Sequence, residues 1–577
     1  MTGLLQFNEP FVLLDFEGRR QLYRRPSRIV ETRDPEQVLS ALEDIRGQTA
    51  AGFIGYESGY ALEPKLHHLC HAPAPGDPPL LWFGIFADGP EPLPELPDGI
   101  GAWVGAPQPL IAQSSYATHL QALEEHLLAG DIYQANFTFP ADIRFSGHPL
   151  ALFAQLQSRA RAKWSAVVFT GEHWIISCSP ELFFTLEGGK VTTRPMKGTA
   201  APDSDPEILR NDPKQRAENL MIVDLLRNDL SKIAVPGTVE APQLLRVERY
   251  PTVLQMTSTV VADLSPALGP VDVIKAMFPC GSVTGVPKIS AMQIIHEQEM
   301  VQRGVYTGSI GAMASNGDAA FNVAIRTLTV RAGSDRALVG LGSGIVADSI
   351  AADEWQECLQ KGKFIPSGIH FDLIETTRVE NGEIKDLSLH LDRLGTSAAH
   401  FGFEFDRIAA ERLLDDAART AGNARLRMTL SVDGRVDIET APLVDLPLAA
   451  VALAPLPVDA HDFRLRHKTT DRVFYDRARE DSGCAEVVFI DQDGFVTEGS
   501  FTNVFVERNG KLVTPPLARG LLPGILRRKL LETGEAVEGD LTVDDLSGGF
   551  FIGNSVRGLI AATLARQSVG ETKEVCD

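Results

Sequence analysis

Across residues 113–361, apolar positions recur at helical spacing and then in β-branched runs, and the two patterns alternate. Tyr116–Ala129 predicts an amphipathic helix, and the run from Ala166 to Thr170 predicts a strand. Asn211-Asp212-Pro213 marks a helix start, a capping side chain followed by proline in the first turn. In that helix Glu218 shares a face with Ile222, Leu225 and Leu226. Residues 1–112 hold short strand-like runs such as Leu80–Phe86, set between two proline-rich stretches, Ala72–Pro79 and Pro90–Pro97, of loop composition. The periodicity breaks at Gly362–Gly368 (GKFIPSG). It restarts with a strand at Phe371–Val379, a turn at Asn381-Gly382 and a helix through His390–His400. The predicted segments are therefore 1–112, 113–363 and 364–577, and no repeat of fixed period is visible.

Composition narrows the picture. The chain has 577 residues, so at roughly 150 residues per domain it holds two to four units. With 44% apolar and 23% charged residues it reads as globular rather than disordered. The formal charge of −22 repels a phosphate backbone, and no lysine- or arginine-rich run offsets it, which argues against a nucleic-acid partner. No apolar run approaches a membrane span, and Asp15 and Glu17 precede any signal-like stretch, so no membrane partner is expected. The six cysteines are scattered and form no CxxC pair, which predicts reduced, mostly buried thiols. The expectation is a soluble, cytoplasmic protein.

Single motifs leave their roles open. Glu218 is either a residue at the core margin or a metal ligand. Glu354 and Glu357, one turn apart near a helix start, equally suit the helix dipole. TGSIGA (307–312) and GLGSGIV (340–346) allow close backbone approach to an anion or simply end strands, and no GxxxxGK[ST] string occurs. Arg326, in the strand-like FNVAIRTL, is an inward-facing cation if the neighbouring apolar residues are core, and a buried arginine needs an anionic partner, either protein or ligand.

Together the strings carry a resemblance. GDIYQANF (130–137), SPELFF (179–184), RPMKGT (194–199) and AENLMIVDLLRNDL (217–230) are similar to the chorismate-utilising enzymes. So are FPCGSVTGVPKISAM (278–292), RGVYTGSIGAM (303–313), FNVAIRTL (321–328) and GSGIVADSIAADEWQECLQKGK (342–363), all in family order. The resemblance implies an α/β (α+β) fold, a layered sandwich of two antiparallel sheets with outer helices. It implies Mg²⁺ held by Glu218 and Glu357, with Glu354 acting through water, a cation that suits one or two carboxylates plus substrate. Tyr306, Arg326, Thr199 and the backbone at Gly342 and Gly344 match groups that hold the substrate carboxylates. At the PxxGT string, members resembling 4-amino-4-deoxychorismate synthase carry lysine and anthranilate synthases carry alanine. Here it is Lys197, implied to be a nucleophile that adds at C2 of chorismate before ammonia enters at C4. Two positions depart from the pattern: Gln215 stands where relatives often have an acidic residue, and Gln255 replaces a histidine near the leaving group.

Past the break the strings resemble a second family, the fold-type IV pyridoxal-phosphate enzymes, with two lobes. They are HLDRLGTSAAHFGF (390–403), RHKTTDRVFYDRAR (466–479), VTEGSFTNVFV (496–506), TPPLARGLLPGILRRKL (514–530) and GNSVRGL (553–559). The resemblance implies that Lys468 holds the aldehyde of pyridoxal 5'-phosphate and then serves as acid–base catalyst, and that Glu498 pairs with the pyridine nitrogen. Arg393 and the backbone at Gly524 and Ile525 hold the phosphate, with Asn554 or Ser555 completing the cup. Thr376 or Thr377 sits where lyase-type members place a catalytic hydroxyl. Relatives have further strands at the start of this segment; here the preceding domain supplies the missing edge or the lobe is pared down.

The two resemblances imply one short sequence. Chorismate and ammonia give 4-amino-4-deoxychorismate, and loss of pyruvate then gives 4-aminobenzoate for folate synthesis. No amidotransferase segment is present, so ammonia is expected from a separate glutaminase subunit. A homodimer through the pyridoxal-phosphate segment is expected by analogy. The rivals are an anthranilate-type synthase fused to an amino-acid transaminase, and a catalytically silent scaffold for the glutaminase.

Overall fold

The computed structural model describes residues 9–92, 95–201, 203–249, 254–365, 368–444 and 449–565; the side chains of Thr199, Ala200 and Ala449 also lie outside it. Two large antiparallel sheets form the first unit. Among the described residues, one runs in the order Gly285–Val286, Gln134–Ser146, Arg336–Ile345, Thr327–Arg331, His173–Ser179, Trp164–Phe169, Phe11–Phe16, Arg19–Arg24, Glu91–Pro92. The other runs Met196–Ala200, Leu254–Asp263, Lys190–Arg194, Leu182–Glu187, Ala319–Val323, Ser309–Met313, Ala50–Ile54, Leu81–Ile85, Arg28–Thr32. The N-terminal strands are thus built into both sheets.

Alternation along single strands shows how the layers stack, because successive side chains point to opposite faces. Val12 and Leu14 pack with Ala51, Phe53 and Trp82 of the other sheet, making an inter-sheet layer. Phe11 and Leu13 face outward against a core that includes Tyr116, Leu120 and Leu123 of the helix Gln113–Ala129. Ala50 and Ile54 face the opposite outer core with Ile222 and Leu226 of the helix Pro213–Ser231. The order helix, sheet, sheet, helix is the expected layered sandwich. The predicted helix start is present: Asp212 caps Pro213–Ser231 by accepting from the Gln215 amide at 2.9 Å, with proline in the first turn.

The second unit has two lobes. Its first holds the antiparallel sheet Glu383–Ile384, Leu373–Glu380, Ala424–Leu430, Val436–Ala441 under the helices Leu387–Phe401 and Arg407–Ala421. Its second is a mixed sheet in which Ala449–Pro455 runs parallel to both Glu486–Ile490 and Gly558–Leu564. This sheet closes on itself where Glu498 pairs with Asn503. Among the described residues, the first lobe receives no strand from the preceding unit. What it receives is an aromatic side chain, since Trp103 of the first unit is buried among Leu373, Leu394, Phe401 and Phe463.

Within the linker, Pro366 and Ser367 lie outside the described residues. Of the cysteines, Cys70, Cys178, Cys280 and Cys358 are buried and unpaired and Cys484 is half-buried; Cys576 lies outside the described residues. No helix among the described residues is long and apolar enough to cross a membrane.

Candidate active sites

The first site gathers around the edge strand that carries Lys197. Its amine lies beside Gly344: a Cβ added there would meet the Gln134 Nε2 at 2.6 Å and the Lys197 Nζ at 3.1 Å, so only glycine leaves that space open. Burial pushes the Lys197 amine below the usual lysine range, and the neighbouring Lys361 pushes in the same direction against Glu218, Glu181 and Glu357. Glu181 is buried, its Oε1 has no partner among the described residues, and burial raises its carboxyl to about 7. The Gln134 Oε1 is likewise buried and unpartnered. Orphaned buried polar atoms of this kind are what a polar ligand would satisfy.

The turn that presents Lys197 is held from two sides. Gly198 has φ +87°, and a Cβ there would press the Gln215 Oε1 at 3.1 Å. Gln255 donates from Nε2 to the Gly198 carbonyl at 3.0 Å. The two positions that depart from the family pattern therefore converge on the lysine loop.

Glu218 comes from the helix Pro213–Ser231, and Glu354 and Glu357 from the helix Ala351–Lys361. Burial raises Glu218, and Glu357 and Glu354 add to the effect against Lys197 and Lys214. Glu354 accepts from the Ser349 hydroxyl at 2.7 Å through one oxygen, while its other oxygen is buried without a partner. Glu357 pairs with Lys361 at 2.7 Å; burial would raise it, but Lys361 and Lys197 hold it below the usual carboxylate range. Among the described residues no three ligating side chains converge on one point.

The Tyr306 ring lies over Gly340, where a Cβ would meet it at 2.0 Å. Arg326 corrects the sequence reading: it is not in a strand but in a bend with φ +50°, between Ala319–Val323 and Thr327–Arg331. Those strands belong to different sheets, so the chain must turn sharply to cross the sandwich. Gly342 and Gly344 lie in the strand Arg336–Ile345, where Lys361 donates to the Gly342 carbonyl at 2.9 Å.

The second site lies between the two lobes of the second unit. The Lys468 Nζ donates to the Thr376 hydroxyl at 3.2 Å, while the Thr377 hydroxyl is buried without a partner. Burial lowers the Lys468 amine to about 7, with Glu375 opposing and Arg393, Arg472 and Arg427 assisting. Glu498 accepts from the Tyr475 hydroxyl and from the Leu522 amide, the latter at 2.9 Å, and burial raises its carboxyl to about 7. Arg393 grips Glu375 through two bonds, at 2.8 and 2.7 Å, and donates to the Pro523 carbonyl at 3.1 Å. Next in sequence, Gly524 opens the helix Ile525–Glu532 with no side chain capping its first amides. A Cβ at Gly524 would meet the Asn503 Oδ1 at 1.9 Å.

Residues 94–367 match the chorismate binding enzyme family, and residues 372–564 match amino-transferase class IV. The chain joins a domain of each family. The chorismate-binding half is 41% identical over 258 residues to the aminodeoxychorismate synthase component 1 of Klebsiella aerogenes, covering 44% of this chain and 57% of that one. It is 37% identical over 254 residues to the anthranilate synthase component 1 of Aquifex aeolicus, covering 43% and 51%. Among solved structures it resembles anthranilate synthase component I of Streptococcus pneumoniae, at 26% identity and TM-score 0.51, covering 63% of this chain and 93% of that one. The alignments to these curated relatives span little more than half their length.

Both domains suit the groups their families use. In the chorismate-binding domain, the orphaned Glu354 oxygen and the raised Glu218 are what a divalent cation would relieve, and magnesium needs few protein ligands. In the class IV domain, the lysine, the buried Glu498 and the uncapped helix start beside Arg393 fit pyridoxal phosphate. Asn554 is committed elsewhere: it donates to the Phe501 carbonyl and accepts from the Val556 and Arg557 amides, leaving Ser555 in the same turn.

Glu181 and Gln134 were not singled out from the sequence, although both lie in the quoted strings. The available signal was a polar residue at the mouth of a strand otherwise apolar, as in SPELFF. The Thr199 side chain lies outside the described residues.

Proposed function

We propose that the chain makes 4-aminobenzoate in two steps, with ammonia delivered by a separate glutaminase. What carries this reading is Lys197: a lysine at the PxxGT position, its amine enclosed against Gln134 and Gly344 and poised toward its neutral form.

In the first step the Lys197 amine adds at C2 of chorismate, both ring double bonds shift, and the C4 hydroxyl leaves as water. Glu181, a carboxylic acid near neutral pH beside Lys197, supplies the proton that the departing hydroxyl needs. Ammonia then adds at C4, both double bonds return to their places, and the lysine leaves C2 as a neutral amine. Tyr306, Arg326 and the Gly342–Gly344 backbone orient the carboxylates. Glu218 and Glu357 would hold magnesium, with Glu354 behind them, and bound magnesium neutralises a substrate carboxylate in a strongly acidic protein.

In the second step Lys468 takes the proton from C4 of the aminated ring, with Thr376 steering its amine. The C3–O bond breaks, the ring becomes aromatic, and the departing enolpyruvate takes a proton on its methylene carbon, balanced by the one Lys468 removed, to give pyruvate. Bound pyridoxal phosphate supplies the electron sink for the carbanion. Glu498, kept in place by Tyr475 and the Leu522 amide, would hold the pyridine nitrogen. Arg393, the Gly524–Ile525 backbone and Ser555 would hold the phosphate.

Two variants separate the steps. Lys468→Ala should accumulate 4-amino-4-deoxychorismate from chorismate, Mg²⁺ and ammonium, whereas Lys197→Ala should accumulate nothing yet still release pyruvate from supplied aminated ring. Accumulation of the same product by both variants would contradict the assignment.

A further inference from the structure

The seam between the two domains runs through aromatic and imidazole rings that lead to the residue before Lys468. Trp103 pairs through its backbone with Ser146, and its ring packs on His400 and Phe401 at 5.5 and 4.8 Å between centroids. The Ser146 hydroxyl and the His400 Nε2 lie 2.6 Å apart, and Arg144 donates to the Ala399 carbonyl. His400 stacks on His467 at 4.9 Å with 20° between planes, and Phe401 meets the same ring edge-on at 4.5 Å. The Ser397 hydroxyl lies 3.0 Å from the His467 Nδ1. The next residue is Lys468, whose carbonyl accepts from the Ile374 amide at 2.9 Å.

We propose that the chorismate-binding domain is a working part of the class IV site: through Trp103 and Ser146 it fixes His400 and His467, and His467 is a positioning residue for Lys468. The first lobe gains no strand from its neighbour, yet Trp103 sits in its core as one of its own aromatics. His467 is closed in by His400, Phe401 and Ser397, so its ring has one place to be. With the backbone pinned at His467 on one side and against Leu373–Ile374 on the other, the Lys468 side chain enters the site from a fixed origin. A domain merely tethered by the linker would need none of these contacts.

The charged groups on each side are few. Lys468 faces Glu375, Arg393, Arg472 and Arg427; His467 faces His400 and Arg466; His400 faces Asp335 and Arg144. Burial dominates the depression of both imidazoles, so they act as packed neutral rings and hydrogen-bond partners. Loosening the seam should admit water to Lys468 and return its amine toward ordinary lysine behaviour.

The functional meaning of this inference rests on Lys468 as the cofactor lysine, but its test reads the amine directly. Full-length protein without cofactor is labelled with an amine-reactive anhydride across pH, and peptide mass spectrometry gives the midpoint for Lys468. The wild type should titrate near 7. Ser146→Ala, Trp103→Ala and His467→Phe should each move that midpoint up by about one unit. Trp103→Phe should restore it, and Lys197 labelling in the same samples should not move. An unchanged Lys468 midpoint in Ser146→Ala and His467→Phe, with native circular dichroism, would overturn the proposal even if Trp103→Ala fails to fold. If the variants show these shifts but the wild type never takes up pyridoxal phosphate, the proposed function fails and the seam stands.

Discussion

Two lysines and two carboxylic acids with shifted protonation equilibria sit in enclosed sites far apart in sequence. In both sites burial is the largest influence, lowering Lys197 and Lys468 and raising Glu181 and Glu498. An enclosed amine near neutrality is a nucleophile at working pH, whereas an exposed lysine is almost wholly charged. Cofactor uptake by the unloaded protein should therefore accelerate with pH through about 7 and then level off, as stopped-flow absorbance would record. A rate still climbing toward the ordinary lysine value would contradict the burial of Lys468. The same shift has a stability consequence. Between about 7 and about 10.4 the unfolded chain holds a proton on this lysine that the folded chain has lost, so stability should rise with pH across that window. Glu181→Gln should slow amination on the order of 10²-fold while leaving pyruvate release from supplied aminated ring unchanged. Equal loss in both reactions would mean that the substitution disturbs the fold.

At the scale of elements, glycines decide how closely backbone and ligand approach. Gly524 starts the helix Ile525–Glu532 with the Asn503 carboxamide where a Cβ would lie. Gly524→Ala should weaken binding of pyridoxal 5'-phosphate at least about tenfold, since a tilted helix start loses its aim at the phosphate. Binding of unphosphorylated pyridoxal should hardly change; equal loss of both by equilibrium titration would remove the phosphate assignment. Much of this was legible in the sequence. The capped helix at Asp212, the restart after Gly362 and the LLPG helix start each follow from a few adjacent residues. Features that needed long-range pairing were not. Arg326 reads as a strand residue because its neighbours are strand-formers, and only the crossing between two sheets bends the chain there. Gln215 and Gln255 look like gaps in a motif until both are seen around Gly198. Trp103 lies in a two-residue strand of the first domain, and nothing local says that its ring belongs to the core of another.

For the whole molecule, the sandwich surrounds one site and the two lobes of the class IV domain bracket the other, with a packed seam between them. Trp103→Ala should destabilise the seam by about 3–5 kcal/mol, the usual range for a buried tryptophan, and calorimetry should resolve two transitions where the wild type gives one. Chelation should stop amination and spare pyruvate release, because among the described residues only the chorismate-binding domain offers orphaned carboxylate oxygens. The most direct test is the identity of the product from full-length protein given chorismate, Mg²⁺, ammonium and pyridoxal phosphate. The lysine-based account predicts 4-aminobenzoate and pyruvate in equal amounts; 2-aminobenzoate, or an aminated ring that retains its enolpyruvyl group, would contradict it.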